Sequence, residues 1–266
     1  VTLGLSKILD KSSFELSLVS ALGKNSKSKL IQKILEKNSI KTKYLIMKGD
    51  RNDQYLSIET KNGEIFGSIN STTNFLSNQT DLIRSFNLIC SAHKRTRKNA
   101  TLIFDGNCTR KFLDYVKEEA CEEIFTKYFI PANFSKLAEF KSDAIYFKGF
   151  NLFINLEEAK ILMGTKNLHN SEEASKAIFN KIKTEQGLAV VTDGPNTACG
   201  ISNKEVVKVQ PNIIKGNISR LGAGDAFFAL FLSHKEFNPD ASLKKNLNLA
   251  NEKIRTYLKT NDQKIY

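Results

Sequence analysis

From residue 82 onward the chain alternates short apolar runs with longer stretches of helical periodicity. Residues 101–105 and 188–193 are apolar runs of strand length, whereas residues 110–120 and 171–186 repeat apolar side chains at the spacing of one helix face. Strands that are joined by helical crossovers pair in parallel, and the helices cover both faces of the sheet. The pattern therefore predicts an α/β fold with a mostly parallel central sheet. The 266 residues are enough for a single domain of this kind.

Residues 44–70 contain short strand-like runs without helical stretches between them and predict a small β hairpin outside this sheet. Residues 54–60 and 64–70 are strand-like and are joined through Asn62-Gly63, a pair that favours a tight hairpin turn. Side chains alternate between the two faces of such a hairpin. We expect it to stand apart from the main body as a lid.

Polar and turn-forming residues follow several of the predicted strands. They are Asp105-Gly106-Asn107, Pro131-Ala132-Asn133, Asn155 and Thr192-Asp193-Gly194. In open parallel sheets, ligands bind at the carboxyl ends of the strands. We therefore expect these segments to line a binding site.

The basic composition suggests a nucleic-acid-binding protein, because the formal net charge is +12. The basic residues are nevertheless spread along the chain, and lysines far outnumber the arginines that phosphate recognition favours. The dense run at residues 93–98 lies between an apolar segment and a predicted strand, where a solvated connection is expected. A nucleic-acid-binding module is therefore the least favoured class, and no specific nucleic-acid partner is expected.

The composition also argues against several other classes of protein. Aliphatic and aromatic residues make up 41% of the chain, too many for a disordered protein. No apolar run approaches the roughly 20 residues of a membrane helix, and the N-terminus lacks a basic-then-apolar signal. The four cysteines form no Cys-x-x-Cys pair and lie among apolar segments, which indicates reduced, buried thiols. We expect a cytoplasmic protein without a membrane partner.

Gly222-Ala223-Gly224-Asp225 precedes an apolar helical pattern and predicts an anion-binding helix start. Small residues let backbone N–H groups converge at the positive end of the helix dipole, where an anion can bind. Asp225 adds a carboxylate that, beside a phosphate, can take a proton from an attacking hydroxyl. The alternative is an ordinary glycine-rich loop with an aspartate cap. Local spacing favours neither.

Asn155 and Glu158 have the spacing of a capping box at the start of a helix that follows an apolar strand. In such a box the two side chains bond reciprocally to backbone N–H groups and stabilise the helix by about 1 kcal/mol. Spacing alone favours this structural role. Thr192 and Gly194 likewise predict only a loop after a buried strand.

Residues 222–229 resemble the C-terminal signature of the ribokinase-like (PfkB) family of sugar and nucleoside kinases, Asp-Thr-x-Gly-Ala-Gly-Asp followed by an apolar helix. The resemblance covers essentially the whole chain and implies a ribokinase-like α/β fold that uses ATP. It implies that Asp225 is the catalytic base and that the amides of residues 222–224 stabilise the transferring phosphoryl group. Ser219-Arg220 replaces the family's Asp-Thr pair, whose backbone often helps to hold a monovalent cation. This difference counts against a monovalent-cation requirement.

The same resemblance assigns further residues to the site. Asn155 and Glu158 match the family's Asn-x-x-Glu pattern, which is implicated in arranging Mg²⁺, its waters and the phosphates. Thr192 and Gly194 match a Val-Thr-x-Gly stretch that lines the nucleotide pocket. Asn251 lies where relatives often touch the adenine, although a solvated helix surface is the simpler expectation for this residue.

The start of the chain departs from the family pattern. Family members normally open with a strand whose Asp grips substrate hydroxyls, then a Gly-Gly and an Asn. Residues 1–9 resemble the helix after those elements, so we expect the front end to be missing and a sheet edge to be exposed. Asn25 and Ser28 replace the Asp and the second Gly of the family's Gly-x-Asp-x-x-Gly. Such a chain is expected to bind Mg-ATP but to transfer phosphate slowly or not at all.

Three segments look most like pseudouridine kinases within the family, namely residues 54–58, 67–70 and 105–107. They imply phosphorylation of pseudouridine at the ribose 5′-hydroxyl, and the lid offers a surface for a homodimer. The first alternative is another sugar or nucleoside kinase of the family. The second is a truncated pseudokinase that binds only nucleotide or a partner protein.

Overall fold

The computed structural model describes residues 1–9, 14–60, 65–96, 98–120, 123–131, 134–185, 187–211 and 222–262. The chain divides into two compact units. The first unit contains Val1–Leu88, Ile214–Pro239 and Glu252–Tyr266. The second contains Ile89–Ile213 and Asp240–Asn251.

The first unit begins with short elements. In chain order they are α1 (Thr2–Ile8), β1 (Leu16–Ser17), β2 (Ser20–Leu22), α2 (Ser26–Lys37), β3 (Ile40–Lys41), β4 (Leu45–Met47), β5 (Gln54–Glu59), β6 (Ile65–Ser71) and α3 (Thr73–Ser77). The long helix α4 (Gln79–Thr96) begins in the first unit and ends in the second.

The second unit alternates strands and helices. Its elements are β7 (Ala100–Asp105), α5 (Arg110–Glu119), β8 (Phe125–Ile130), α6 (Phe134–Leu137), 3₁₀ turns at Ala138–Phe140 and Ala144–Phe147, β9 (Asn151–Asn155), α7 (Leu156–Met163), α8 (Ser171–Ile182), β10 (Leu188–Asp193), β11 (Asn196–Ser202) and β12 (Val206–Val209). Helix α9 (Ala223–Phe237) belongs to the first unit, and α10 (Leu243–Asp262) begins in the second.

Six strands of the second unit form one sheet in the order β12-β11-β10-β9-β8-β7. Strands β7 to β10 run parallel, and β11 and β12 return antiparallel at one edge. The predicted α/β fold with a mostly parallel sheet is confirmed. The sequence pattern misses β11, because residues 198–201 are all buried and the strand lacks the alternation of a half-exposed strand.

Aromatic side chains fill the core of the second unit. The rings of Phe129 and Phe147 lie 4.4 Å apart between centroids. Beside them, the Tyr146 hydroxyl donates to Asp114 at 2.6 Å, and the Arg110 guanidinium lies 4.3 Å from the centre of the Tyr146 ring. Burial, followed by the bond to Asp114, raises the pKa of Tyr146 well above its ordinary value. These contacts hold α5 against the 3₁₀ turn that precedes β9.

The first unit contains short strand pairs. Residues 16–22 form an apolar run of strand length, but the run is divided into β1 and β2, because β1 pairs with β3 and β2 pairs with β4. Strands β5 and β6 pair antiparallel with Leu56 opposite Ile69, which confirms the predicted hairpin. Its predicted turn at Asn62-Gly63 lies outside the described residues.

The Gly23 segment is fixed by close packing and hydrogen bonds. A Cβ atom at Gly23 would lie 2.7 Å from backbone atoms of Arg51. Asn25 caps α2 by accepting from the Ser28 N–H at 3.0 Å, and the Ser28 hydroxyl donates to Asn52 at 2.8 Å. The residues that replace the family's Asp and second Gly therefore hold the start of α2.

Helix α9 is the buried helix of the first unit. Its residues 226–233 are all buried, the pattern of a helix that is apolar on every side and lies in a core. Helix α1 packs against α9. The ring of Phe14 also meets that of Phe237 near the end of α9, with centroids 4.9 Å apart.

The basic run at residues 93–98 differs from the prediction of a connection. Residues 93–96 form the last turn of α4, where positive side chains interact favourably with the helix dipole. Lys94 pairs there with Glu119 at 3.1 Å. Arg97 lies outside the described residues.

The cysteines that the structure describes are buried, as the sequence predicts. Cys90, Cys108 and Cys199 are buried free thiols, and burial raises the pKa of Cys108 and Cys199. Cys121 is outside the described residues. In the described part of the chain, no helix combines the length and the apolar character needed to cross a membrane.

Glu172 joins α8 to the edge of the sheet. It pairs with Lys176 one turn along α8 at 2.7 Å and with Lys208 on β12. Hydrogen bonds from these two lysines lower the pKa of Glu172 to about 2. The ion pairs therefore make a pH-dependent contribution to folding stability.

We expect Glu172→Gln to lower the urea midpoint slightly at neutral pH and to lose this effect in acid. The unfolded pKa is near 4.5 and the folded pKa about 2, so the contribution is complete above the unfolded value and disappears as pH falls toward the folded one. Urea unfolding of both proteins at about pH 7 and about pH 2 measures the difference. A difference in midpoint that stays constant would contradict this role.

Candidate active site

The first candidate region is the start of α9, in the first unit. Gly222 is the N-cap, with φ at +75° in the left-handed region that favours glycine. A Cβ atom at Gly222 or Gly224 would meet no atom of the described residues within 4 Å, so a ligand can approach the backbone there. Gly222 has no side chain to bond the first-turn N–H groups, which point out at the positive end of the dipole. The helix start has the chemistry of an anion site.

Asp225 lies in the first turn of the same helix. Gly224 and Asp225 are exposed, whereas the residues that follow are buried. The carboxylate is therefore accessible to a ligand at the helix start while the body of the helix is held in the core. Leu221 and the residues before it, which include Ser219 and Arg220, lie outside the described residues.

The second candidate region is the junction between β9 and α7, in the second unit. Asn155 accepts from the Glu158 N–H at 2.9 Å, and the Asn155 N–H donates to Glu158 Oε2 at 2.8 Å. These bonds form the predicted capping box. Glu158 is only 8% exposed, so a buried carboxylate lies directly at the carboxyl end of a central strand. The structural role is confirmed, and the role toward Mg²⁺ remains a prediction.

The chain repeats this pattern at α8. Asn170 accepts from the Glu173 N–H at 2.9 Å, and Glu173 accepts from the His169 N–H at 2.9 Å. Glu173 is largely exposed, in contrast to Glu158. The Asn-x-x-Glu spacing alone therefore produces a helix cap, and burial at a strand end is what distinguishes Glu158.

Thr192 lies beside Asn155 in the sheet. The parallel pairing of β9 and β10 puts Thr192 opposite Asn155 at the carboxyl ends of both strands. Gly194 follows with φ at +53° in a turn that leads into β11, where Asn196 donates to Asp193 at 3.1 Å. The predicted loop is thus the turn of an antiparallel hairpin.

Asn251 is connected to this hairpin. It lies on α10, is only partly exposed, and donates through Nδ2 to the carbonyl oxygen of Gln210 at 2.9 Å. Gln210 follows β12 and accepts from the Thr197 hydroxyl at 2.6 Å. Asn251 therefore lies at a partly solvated helix surface, as expected, and also bonds to the segment that follows β12. Sequence reasoning missed Gln210, because no motif contains it.

Strands β7 and β8 also end in polar or turn-forming residues, and the residues after β7 form a turn. Asp105 ends β7 and accepts from the Asn107 N–H at 2.9 Å and from its side chain at 3.3 Å. Pro131 follows β8, and Asn133 lies outside the described residues. Because β7, β8 and β9 are parallel neighbours, Asp105 and Pro131 lie at the same carboxyl-terminal side of the sheet as Asn155.

The donor chemistry at this edge suits a hard cation bound together with a phosphate. No group of three or more His, Cys, Asp or Glu in the described ranges could hold a metal ion on its own. Glu158 offers a carboxylate, and Mg²⁺ commonly takes one or two carboxylates and completes its shell with water and substrate phosphates. Asn155, Glu158, Thr192, Gly194 and Asn251 belong to the second unit, whereas Asp225 belongs to the first.

Comparison with solved structures places the fold among kinases. Trypanosoma brucei brucei adenosine kinase matches with a TM-score of 0.75 and 13% identity over 96% of this chain and 79% of its own. Giardia lamblia ribokinase matches with a TM-score of 0.72 and 14% identity over 97% of this chain and 80% of its own. An E. coli protein described as a putative ribokinase II, bound to ATP and Mg²⁺, matches with a TM-score of 0.71 and 12% identity over 96% of this chain and 79% of its own. At these identities the likeness establishes the ribokinase-like fold.

Sequence comparison identifies the family. Curated protein sequences give no significant match. The family model described as pfkB family carbohydrate kinase matches residues 3–252, which include every candidate residue from Asn155 to Asn251. The chain therefore belongs to the pfkB family of carbohydrate kinases and is an ATP-dependent kinase.

Proposed function

We propose that the protein phosphorylates pseudouridine at its ribose 5′-hydroxyl with ATP. The observation that carries the proposal is that all three segments resembling pseudouridine kinases occur in elements suited to an acceptor site. Residues 54–58 and 67–70 lie within the paired strands of the lid hairpin, and residues 105–107 form the turn at the carboxyl end of β7. Lids and strand ends are where kinases of open α/β folds bind their acceptors.

Asp225 is proposed as the general base. The acceptor hydroxyl oxygen attacks the γ-phosphorus of ATP, its proton passes to the Asp225 carboxylate, and ADP leaves with the bridging oxygen. The exposed carboxylate in the first turn of α9 supports this role. The amides of Gly222, Ala223 and Gly224, at the positive helix end, are proposed to stabilise the charge on the transferring group.

Asn155 and Glu158 are proposed to arrange the Mg²⁺ ion that accompanies the phosphates of the nucleotide. A bound Mg²⁺ would neutralise the charge of the phosphates. Glu158 would hold the ion or its waters, and Asn155 keeps that carboxylate in place through the capping box. Thr192, Gly194 and Asn251 are proposed to bind the nucleoside part of ATP. No monovalent-cation requirement is proposed.

Another acceptor within the family is the main alternative. The adenosine kinase and ribokinase structures share the fold, and their acceptors are a nucleoside and a sugar by name. Hydroxyl groups on a ribose ring are common to these compounds and to pseudouridine. A pseudokinase that binds nucleotide without transfer is the second alternative.

Phosphoryl transfer to pseudouridine, uridine, adenosine and ribose tests the proposal. We expect the highest kcat/KM with pseudouridine in an assay that couples ADP release. Asp225→Asn should lower turnover by roughly 10²–10⁴ while Mg-ATP binding persists, because the base is lost and the helix start remains. Glu236→Gln, near the far end of α9, is the control and should retain activity.

The outcomes separate the alternatives. A clear preference for adenosine or ribose would assign another acceptor of the family. Mg-ATP binding by calorimetry without transfer to any of the four compounds would favour the pseudokinase. Unchanged turnover in Asp225→Asn would remove Asp225 from the mechanism.

Glu158→Gln tests the magnesium role against the capping role. Glutamine can still close a capping box but is a poor ligand for Mg²⁺, so activity should fall and recover partly at higher Mg²⁺. Glu173→Gln alters the corresponding helix start of α8, where Glu173 accepts from the His169 N–H, and is the control, for which only the melting temperature should change. If both variants show normal magnesium dependence, Glu158 is a cap and nothing more.

The lid offers a surface for a homodimer, and we propose that a second copy covers it. Leu56, Ile58 and Ile69 lie on one face of the hairpin and are 59%, 57% and 69% exposed. An isolated two-stranded hairpin with an uncovered apolar face is only marginally stable in water. A second copy presents the same face, so that the contact is symmetric.

Sedimentation velocity over a range of concentrations tests the dimer. Ile69→Asp places a charge in the middle of this face and should shift the protein to monomer, because a carboxylate buried in an apolar contact is unpaired. Tyr55→Asp, on the opposite face of the same hairpin, is the control and should leave the dimer intact. A monomeric wild-type protein would contradict the proposal.

A further inference from the structure

Gln210 connects three separate segments of the second unit. Its side-chain oxygen accepts from the Thr197 hydroxyl at 2.6 Å. Its side-chain nitrogen donates to the carbonyl of Pro195 at 3.4 Å, a longer and weaker bond. Its backbone carbonyl accepts from Asn251 Nδ2 at 2.9 Å. The β10–β11 turn and α10 are therefore joined through one residue.

The pairing of β11 with β12 explains why Gln210 reaches Thr197. Ala198 lies opposite Val209 at the end of the β11–β12 pairing, so Thr197 and Gln210 are the next facing pair. On its other side, the Thr197 carbonyl accepts from the Ser171 hydroxyl at 2.5 Å, and Ser171 is only 2% exposed. Thr197 is thus fixed to the start of α8, and the hydrogen bond partner of the Gln210 side chain is itself held in place.

The residues joined in this way are those proposed to bind the nucleoside part of ATP. The turn held by Pro195 and Thr197 contains Gly194 and follows Thr192 directly. Asn251 lies on α10 and is the third residue of the set. The relative position of the turn and of Asn251 depends on the Gln210 contacts with both.

We propose that Gln210 is a positioning residue of the nucleotide site, which sets the β10–β11 turn at the correct distance from Asn251. This inference rests on the proposed roles of Thr192, Gly194 and Asn251. Gln210 itself need not touch the nucleotide, and the transferred phosphoryl group is assigned to other residues. Loss of its side chain should therefore weaken ATP binding in the ground state and the transition state equally, which raises KM for ATP and spares kcat.

A purely structural role predicts a different result. Thr197 and Gln210 are not buried, and hydrogen bonds at exposed positions add little net stability. A residue that acted only on folding would change the melting temperature and the active fraction, so that kcat per total protein would fall while KM stayed constant. Whether the variant changes KM for ATP or kcat per total protein therefore distinguishes a positioning role from a role in stability alone.

Steady-state kinetics of Gln210→Ala, Thr197→Val and the double variant test the inference. Each single variant removes one side of the same hydrogen bond, so each should raise KM for ATP by about 5- to 10-fold with kcat within about twofold of wild type. The double variant should be no worse than Gln210→Ala, because the two side chains act as a unit.

Asn203→Ala is the matched control. Its side-chain nitrogen also joins strand β11 to a neighbouring loop, by donating to the carbonyls of Thr184 at 2.5 Å and Glu185 at 3.0 Å. It lies at the other end of the β11–β12 hairpin, so KM for ATP should be unchanged.

The results also separate this inference from the proposed function. An active wild-type enzyme whose KM for ATP does not change in Gln210→Ala would overturn the positioning role and leave the function intact. An equal rise of KM in Asn203→Ala, or additive effects in the double variant, would also overturn it. A wild-type protein that binds no Mg-ATP by calorimetry would overturn both.

Discussion

The burial of residues 226–233 of α9 is the constraint on which the start of that helix depends. A helix that is apolar on every side cannot rotate or slide without exposing apolar surface or opening cavities in a densely packed core. The first turn, with Gly222 and Asp225, is therefore held by the rest of the helix while it remains open to solvent. Catalytic groups need such support, because a displacement of about 1 Å is enough to reduce activity strongly.

The second unit places its polar residues through the register of a sheet. Thr192 lies opposite Asn155 because β9 and β10 pair in parallel, and this pairing uses backbone bonds only. Consecutive residues of both strands are buried, so a slip by one residue would exchange the side chains packed on the two faces of one strand and disrupt that packing. Asn155 is at the same time the last residue of β9 and the cap of α7. Strand end and helix start are therefore fixed together.

The sequence predicted β10 with the bounds that the structure shows. It missed β11, whose buried residues lack periodicity, and an apolar run such as residues 16–22 cannot show that β1 and β2 pair with different strands. It could not indicate Gln210, because the contacts of this residue join positions far apart in the chain. Nor can spacing separate Glu158 from Glu173, since both lie three residues after a capping asparagine and differ in burial and in the N–H that the carboxylate accepts from.

The packing of α1 against α9 has a consequence for biosynthesis. These helices come from opposite ends of the chain, so the core of the first unit cannot close until α9 has left the ribosome. The sheet of the second unit is continuous in sequence between β7 and β12, and it can assemble earlier. Contacts between distant segments form late and leave apolar surface exposed in the meantime. The surface of α1 that packs against α9 therefore stays uncovered until α9 has been made.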